Sequence, residues 1–401
     1  MNDVNHSSQD SFFKTFRECL LSFSFDIAGL LAGVILASQT NIFSFSPWII
    51  IVYPAILSAR GMIGGIFTGR LSTALHVGII YPKFIGNTKA FHKLFEAIIV
   101  TTLMTSLFMS LTAIVFGFLL WGISITDFLS LVLFLMGTMA LGLTISLITI
   151  IVSFVSFKRG LDPDVVVYPI MSTTADIMIT VFYVITATLF FLFGEIGRNV
   201  IVVIDASYLI LSSFILLRNI HNREFINDIK EVLLTLIIVA FIVNFTGTFL
   251  GKISAIVKNR REVYTIYPAL IDTIGDVGSV VGSVVTTRLA LGFLNPSLIA
   301  IGRIKRQILG SWLASIIIFI SLSFLSLLLN GVLEASFLIS FTYILLITNV
   351  IAIPIIVIIS YTISILAFKG GFDPDNFVIP IESSLADNVT TIALFVAILL
   401  H

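Results

Sequence analysis

The chain has 401 residues and no net charge; 58% of its residues are hydrophobic, 11% are charged, and its mean hydropathy is +1.13. Soluble domains carry about 25% charged residues, so this composition indicates an integral membrane protein. The balanced charge excludes an electrostatic case for nucleic-acid binding. The single cysteine, Cys19, excludes an internal disulfide and a cysteine cluster for a metal.

The apolar segments are continuous rather than alternating, which favours transmembrane helices over a β-barrel. A short polar tail, residues 1–14, comes first, and we expect a retained first span after it rather than a cleaved signal. The fold class predicted is an all-α integral membrane protein. Its eleven predicted spans lie near residues 18–38, 46–69, 94–121, 127–156, 164–193, 200–217, 231–251, 263–287, 309–331, 336–367 and 376–400.

The distribution of Lys and Arg predicts the orientation of these spans. If the N-terminus is inside, most basic residues fall in inside segments, among them Lys14, Arg17, Lys158 and Arg159. Positive residues are enriched in cytoplasmic loops. We therefore expect a multi-pass protein of the plasma membrane, with a cytoplasmic N-terminus and an outside C-terminus.

The sequence contains an internal repeat. Residues 53–78, YPAILSARGMIGGIFTGRLSTALHVG, align with residues 267–292, YPALIDTIGDVGSVVGSVVTTRLALG. Residues 162–176, DPDVVVYPIMSTTAD, likewise align with residues 373–387, DPDNFVIPIESSLAD. Self-similarity of this kind indicates duplication of one structural unit.

Each repeat holds five predicted spans, so a direct fusion would invert the second repeat. The extra span restores a parallel orientation, and we predict two halves related by a pseudo-two-fold axis along the membrane normal. Asp205 in this connector faces protein or lies near the membrane interface. The predicted parts are a cytoplasmic tail at 1–14, a first five-helix repeat at 15–194, a connector at 195–228 and a second five-helix repeat at 229–401.

Each repeat ends with a helix that carries a carboxylate deep in its apolar run, Asp176 in the first repeat and Asp387 in the second. Each helix opens with Asp-Pro-Asp, a favourable helix start. An acid at the bilayer centre costs about 3 kcal/mol or more and usually faces a cavity or a partner. Hydroxyls three and four residues before each carboxylate share its helix face and complete the set of candidate metal ligands, namely Ser172, Thr173, Ser383 and Ser384.

Carbonyls freed by Pro169 and Pro380 would add oxygen atoms to each stripe. Oxygen ligands suit hard cations such as Mg²⁺. We interpret each stripe as part of an ion pathway. The alternative is a protonated aspartate bonded to a neighbouring helix.

The aligned glycine-rich helices differ in charge. In the second repeat Asp272 and Asp276 flank Gly275 and join the candidate metal ligands, and Glu382 adds a further acid there. Arg60 of the first repeat lies at the matching level, and we expect it to pair with Asp272 or Asp276. Close packing is the simplest explanation for the small residues that recur at every fourth position, Gly61, Gly65 and Gly69 with Gly275, Ser279 and Ser283.

Together these segments resemble the MgtE magnesium transporters, and more closely the eukaryotic solute-carrier magnesium transporters related to them. The likeness covers both repeats. It implies a pathway for Mg²⁺ or a related divalent cation between the two halves, with Asp176 and Asp387 as ligands. MgtE proteins are dimers of five-span units, so the resemblance implies that one chain here supplies both units and that oligomerisation is not required. The sequence departs from the family's common Gly-Asn at Gly61-Met62 and Gly275-Asp276.

The predicted function is therefore transmembrane transport of divalent cations, with Mg²⁺ first. A channel and an exchanger that uses Na⁺ or H⁺ as coupling ion both remain open. The alternative is a membrane-embedded aspartyl-type enzyme that uses Asp176 and Asp387 as a proton-sharing pair. Because this pair arises from duplication and no further catalytic group appears, we expect no enzyme. An inert assembly partner would leave the core acids without a purpose.

Overall fold

The structure, a computed structural model, describes residues 2–43, 45–46, 48–122, 127–159, 163–258, 260–371 and 374–401. Over these residues the fold is helical and contains no strand. The α-helices are α1 (Asn2–Phe23), α2 (Gly29–Ser38), α3 (Thr40–Phe43), α4 (Trp48–His76), α5 (Lys89–Phe116), α6 (Phe128–Lys158), α7 (Pro163–Phe191), α8 (Gly194–Asn219), α9 (Arg223–Val257), α10 (Arg261–Ala290), α11 (Lys305–Leu329), α12 (Ala335–Gly370) and α13 (Pro374–Leu399).

Eleven helical segments of the described chain are long and apolar enough to cross a membrane, which confirms the predicted number. The first span runs from Phe12 to Ser38. It consists of the second half of α1, a 3₁₀ segment (Ser24–Ala28) and α2. Helices α7 and α13 begin at Pro163 and Pro374, as the Asp-Pro motifs predict. The predicted caps, Asp162 and Asp373, lie outside the described residues.

Several buried hydroxyls inside the spans donate hydrogen bonds to carbonyls of their own helices. Thr105 Oγ1 donates to the carbonyl of Thr101 at 2.8 Å, and Ser153 Oγ donates to the carbonyl of Thr149 at 2.8 Å. A hydroxyl bonded four residues back needs no water. The spans therefore carry serine and threonine in an apolar setting without leaving polar atoms unsatisfied at these positions.

The chain divides into two compact units. One unit is continuous and consists of residues 39–251, and we call it the continuous unit. The other combines residues 1–38 with residues 252–401, and we call it the split unit. Helix α9 begins in the continuous unit and its last residues belong to the split unit.

The two repeats exchange their first helices. In the split unit, Gly33 of α2 lies so close to the carbonyl oxygen of Thr265 in α10 that a Cβ atom would collide with it. In the continuous unit, Gly247 of α9 lies equally close to the carbonyl oxygen of Ile51 in α4. These two contacts occupy equivalent places in the repeat.

Each first helix thus packs on the second helix of the other repeat. The predicted domains 15–194 and 229–401 describe the repeat in the sequence, whereas the compact units in space follow a different division.

Helix α8, the predicted connector, packs within the continuous unit. Gly137 of α6 lets it approach, with the position of a Cβ atom 3.0 Å from Ile201 and 3.3 Å from a carboxylate oxygen of Asp205. Asp205 is only 1% exposed and therefore faces protein, one of the two positions expected for it.

Candidate cation site

The two predicted aspartates occupy equivalent, buried positions. Asp176 in α7 is 9% exposed and Asp387 in α13 is 8% exposed. One turn later, Thr180 and Thr391 each donate a hydrogen bond of 2.6 Å to the backbone carbonyl of the aspartate. Both carboxylates lie within predicted spans, as the sequence indicated.

A tyrosine from the glycine-rich helix contacts each of these threonines. Tyr53 of α4 lies 2.8 Å from Thr180, and Tyr267 of α10 lies 2.8 Å from Thr391, oxygen to oxygen. Because each threonine hydrogen already goes to a carbonyl, the tyrosine is the donor. The bond joins α4 to α7 and α10 to α13 at the level of the aspartates.

Glu382 brings a second carboxylate to α13, and it is only 1% exposed. It accepts hydrogen bonds from Ser279 Oγ at 3.1 Å and from Ser360 Oγ at 3.2 Å. Ser279 lies three residues after Asp276 on α10, so the bond places Glu382 against the face of α10 that carries Asp276. The split unit therefore gathers Asp276, Glu382 and Asp387 on two packed helices, α10 and α13.

Two more acids belong to the same unit. Asp272 of α10 is half-buried, as is Asp276. Asp26, in the 3₁₀ segment between α1 and α2, is 5% exposed and accepts a hydrogen bond of 2.9 Å from Thr273 Oγ1. The exchanged first helix thus adds an acid to the second repeat's set.

The first repeat has a different charge arrangement. Arg60 of α4 is 4% exposed, and the bond between Tyr53 and Thr180 holds α4 against α7, the helix of Asp176. Arg60 and Asp176 thus lie on packed helices of one repeat. The expected pairing of Arg60 with Asp272 or Asp276 stays a prediction.

The predicted hydroxyl ligands differ in exposure. Ser172 is exposed, Thr173 is 9% exposed, Ser383 is half-buried and Ser384 is 1% exposed. The side chains of Pro169 and Pro380 lie outside the described residues. Over the part of the chain that the structure describes, no three His, Cys, Asp or Glu side chains converge closely enough to hold a metal ion by themselves.

Close packing is the wrong explanation for two of the recurring glycines. A Cβ atom at Gly61 or Gly69 would meet no described atom within 4 Å. The crowded positions are Gly64, against the guanidinium of Arg60, and Gly278, against the carboxylate of Glu382. In these helices, the glycines at which a side chain would collide are therefore the ones that lie beside charged side chains.

Sequence reasoning missed the two tyrosines and the central place of Glu382. A signal for the tyrosines was present, since both aligned segments begin with Tyr-Pro-Ala at Tyr53 and Tyr267. Glu382 has no such signal, because its serine partners lie on α10 and α12, far from it in the sequence.

Eleven apolar spans in the described residues, with carboxylates buried at equivalent places, define a multi-pass helical membrane protein with the features of an ion transporter. The chain matches the MgtE divalent cation transporter model at residues 53–186 and 267–397, more than half of its length, and it belongs to this family. Searches of curated proteins and of solved structures each gave no significant match. The family consists of transporters, and it gives no support to the alternative of an aspartyl-type enzyme.

Proposed function

We propose that the protein transports Mg²⁺ and that the second-repeat acids Asp276, Glu382 and Asp387 bind the ion during its passage. The observation that carries the proposal is the burial of Glu382 and Asp387 in one apolar span, with Glu382 bonded to Ser279 of α10, one turn after Asp276. Carboxylates that repel one another in a medium of low polarity are stabilised by a bound cation. A divalent cation neutralises two of them at once.

The chemistry of the side chains favours Mg²⁺ within the divalent cations that the family transports. All candidate ligands are oxygens, which suit a hard cation. Mg²⁺ keeps several waters and is commonly held by one or two carboxylates. Asp272 of α10 and the hydroxyls of Ser383 and Ser384 of α13 would contact the hydrated ion along the same helices. Ser172 and Thr173 lie on α7 of the first repeat and stay predicted ligands.

We also propose that the protein lies in the plasma membrane with its N-terminus in the cytoplasm. The excess of Lys and Arg on one side supports the cytoplasmic position of the N-terminus. Both repeats lie in one chain, so we propose that no second copy is needed. A pathway between the repeats stays a prediction from the sequence.

The test is Mg²⁺ flux into proteoliposomes that contain the purified protein. We expect Asp387→Asn and Glu382→Gln each to reduce flux more than about tenfold, because each removes one charge that binds the ion. The matched control is Glu334→Gln, which changes an exposed acid at the start of α12 and should leave flux unchanged. Wild-type flux in both pathway variants would contradict the proposal.

The same vesicles distinguish a channel from an exchanger. Flux that follows an imposed voltage alone indicates a channel with permanently charged carboxylates. Flux that requires a Na⁺ or pH gradient indicates exchange with that coupling ion. An absence of flux for every divalent cation would overturn transport by this chain.

A further inference from the structure

Two equivalent glycines of the repeat lie against side chains of opposite charge. A side chain at Gly64 in α4 would collide with the guanidinium of Arg60. A side chain at Gly278 in α10 would collide with the carboxylate of Glu382 and would lie 2.9 Å from Ser360 Oγ. The space beside the glycine therefore contains a cation in the first repeat and an anion in the second.

The aligned sequences show how this inversion arises. Arg60 aligns with Ile274, and Glu382 aligns with Met171. Two further buried or half-buried acids of the second repeat align with uncharged residues of the first repeat. They are Asp276, which aligns with Met62, and Asp272, which aligns with Ser58.

At these aligned positions, together with that of Asp387, the first repeat therefore has one acid, Asp176, and one base, Arg60. Arg60 is 4% exposed, and its Nε has no hydrogen-bond partner in the described part of the chain. A buried guanidinium is strongly unfavourable unless an anion compensates it. Asp176 is the buried acid of the helix that packs on α4, since Tyr53 of α4 bonds to Thr180 and Thr180 bonds to the carbonyl of Asp176.

We propose that Arg60 is a tethered cation that neutralises Asp176, so that only the second repeat takes a divalent cation from solution. Arg60 thus supplies to Asp176 the positive charge that the transported ion supplies to Asp387. The assignment of the ion to Asp276, Glu382 and Asp387 rests on the proposed function. The pairing of Arg60 with Asp176 does not depend on it.

A double-mutant cycle tests the pair. Thermal unfolding in detergent is measured for wild type, Arg60→Gln, Asp176→Asn and the double variant R60Q/D176N. We expect each single variant to melt lower than wild type, because it leaves one buried charge uncompensated, and the double variant to regain most of the loss. Arg70→Gln combined with D176N is the matched control and should show additive effects. Additive effects for R60Q and D176N would overturn the pairing.

Mg²⁺ binding, measured by titration calorimetry, tests the asymmetry. We expect one Mg²⁺ per wild-type chain, an affinity at least about tenfold weaker in Asp387→Asn, and an affinity within about twofold of wild type in R60Q/D176N. The double variant keeps the charge balanced, so it answers the question even where Asp176→Asn alone fails to fold.

Two bound ions in wild type, or equal losses of affinity in D387N and R60Q/D176N, would overturn the proposal. A wild-type protein that binds no Mg²⁺ contradicts the proposed function instead. In that case the unfolding cycle still decides whether Arg60 neutralises Asp176.

Discussion

The hydroxyl of Tyr267 lies 2.8 Å from Oγ1 of Thr391, and Tyr53 makes the same contact with Thr180 in the other repeat. Each bond links the glycine-rich helix to the helix that carries the aspartate. The same bond occurs at aligned positions in both repeats, so it belongs to the duplicated unit rather than to one half alone. The tyrosines therefore set the position of the aspartate relative to the glycine-rich helix.

Removing the Tyr267 hydroxyl should weaken cation binding without abolishing it. A neutral hydrogen bond contributes about 1 kcal/mol, so we expect Tyr267→Phe to lower the Mg²⁺ affinity about fivefold in titration calorimetry. The control is Tyr361→Phe, which removes a bond of 2.9 Å to the carbonyl of Ser297 in the same unit. If both variants bind Mg²⁺ alike, the tyrosine does not position Asp387.

A methyl group at Gly278 should disturb the site sterically. Gly278→Ala places a Cβ atom against the carboxylate of Glu382, and overpacking of this kind costs about 1–3 kcal/mol. We expect a lower melting temperature and slower Mg²⁺ flux. Gly275→Ala is the matched control, because its Cβ atom would lie 3.8 Å from Ala386 Cβ, an ordinary contact. Equal behaviour of the two variants would show that the space beside Gly278 is not needed.

The exchanged helices give a prediction about stability. Gly33→Ala and Gly247→Ala each place a Cβ atom against a backbone carbonyl, which cannot turn aside as a side chain can. We expect both to melt lower than wild type. Gly61→Ala, which meets no described atom within 4 Å, should gain about 0.5–1 kcal/mol from helix propensity. A stable Gly33→Ala variant would contradict the close approach of α2 to α10.

A substitution at Asp205 should have the opposite effect and raise the melting temperature. Neither of its carboxylate oxygens has a hydrogen-bond partner in the described chain, although the side chain is 1% exposed. Burying an unsatisfied polar group is costly, so we expect Asp205→Leu, a change to an apolar side chain of similar shape, to raise the melting temperature and leave Mg²⁺ flux unchanged. Asp176→Leu is the comparison variant and should lower the melting temperature. Loss of flux in Asp205→Leu would instead assign the connector a role in transport.

Much of this architecture follows from the sequence because hydropathy and duplication are strong signals. The spans, the repeat and the burial of Asp176 and Asp387 were all predicted, and the family match begins at the two aligned tyrosines. Depth in a span is set by position along one helix, which a sequence shows directly.

Contacts between helices were harder to predict. Periodicity does not say which neighbour a helix meets, so the exchange of Gly33 and Gly247 between repeats was missed. The glycines were interpreted by their spacing, whereas the crowded positions are Gly64 and Gly278. Arg60 and Asp176 lie on different helices, and only the bond between Tyr53 and Thr180 in the structure shows that these two helices pack together.

The helix exchange also bears on how such a protein can be divided. If the chain were cut in the connector, each fragment would carry a first helix whose groove belongs to the other fragment. Neither fragment could bury that helix alone, whereas the two expressed together could reassemble. A single repeat on a separate gene would face the same constraint and could fold fully only as an intertwined homodimer. Fusion of the repeats into one chain thus keeps each repeat dependent on the first helix of the other, while the charged residues of the two repeats can differ.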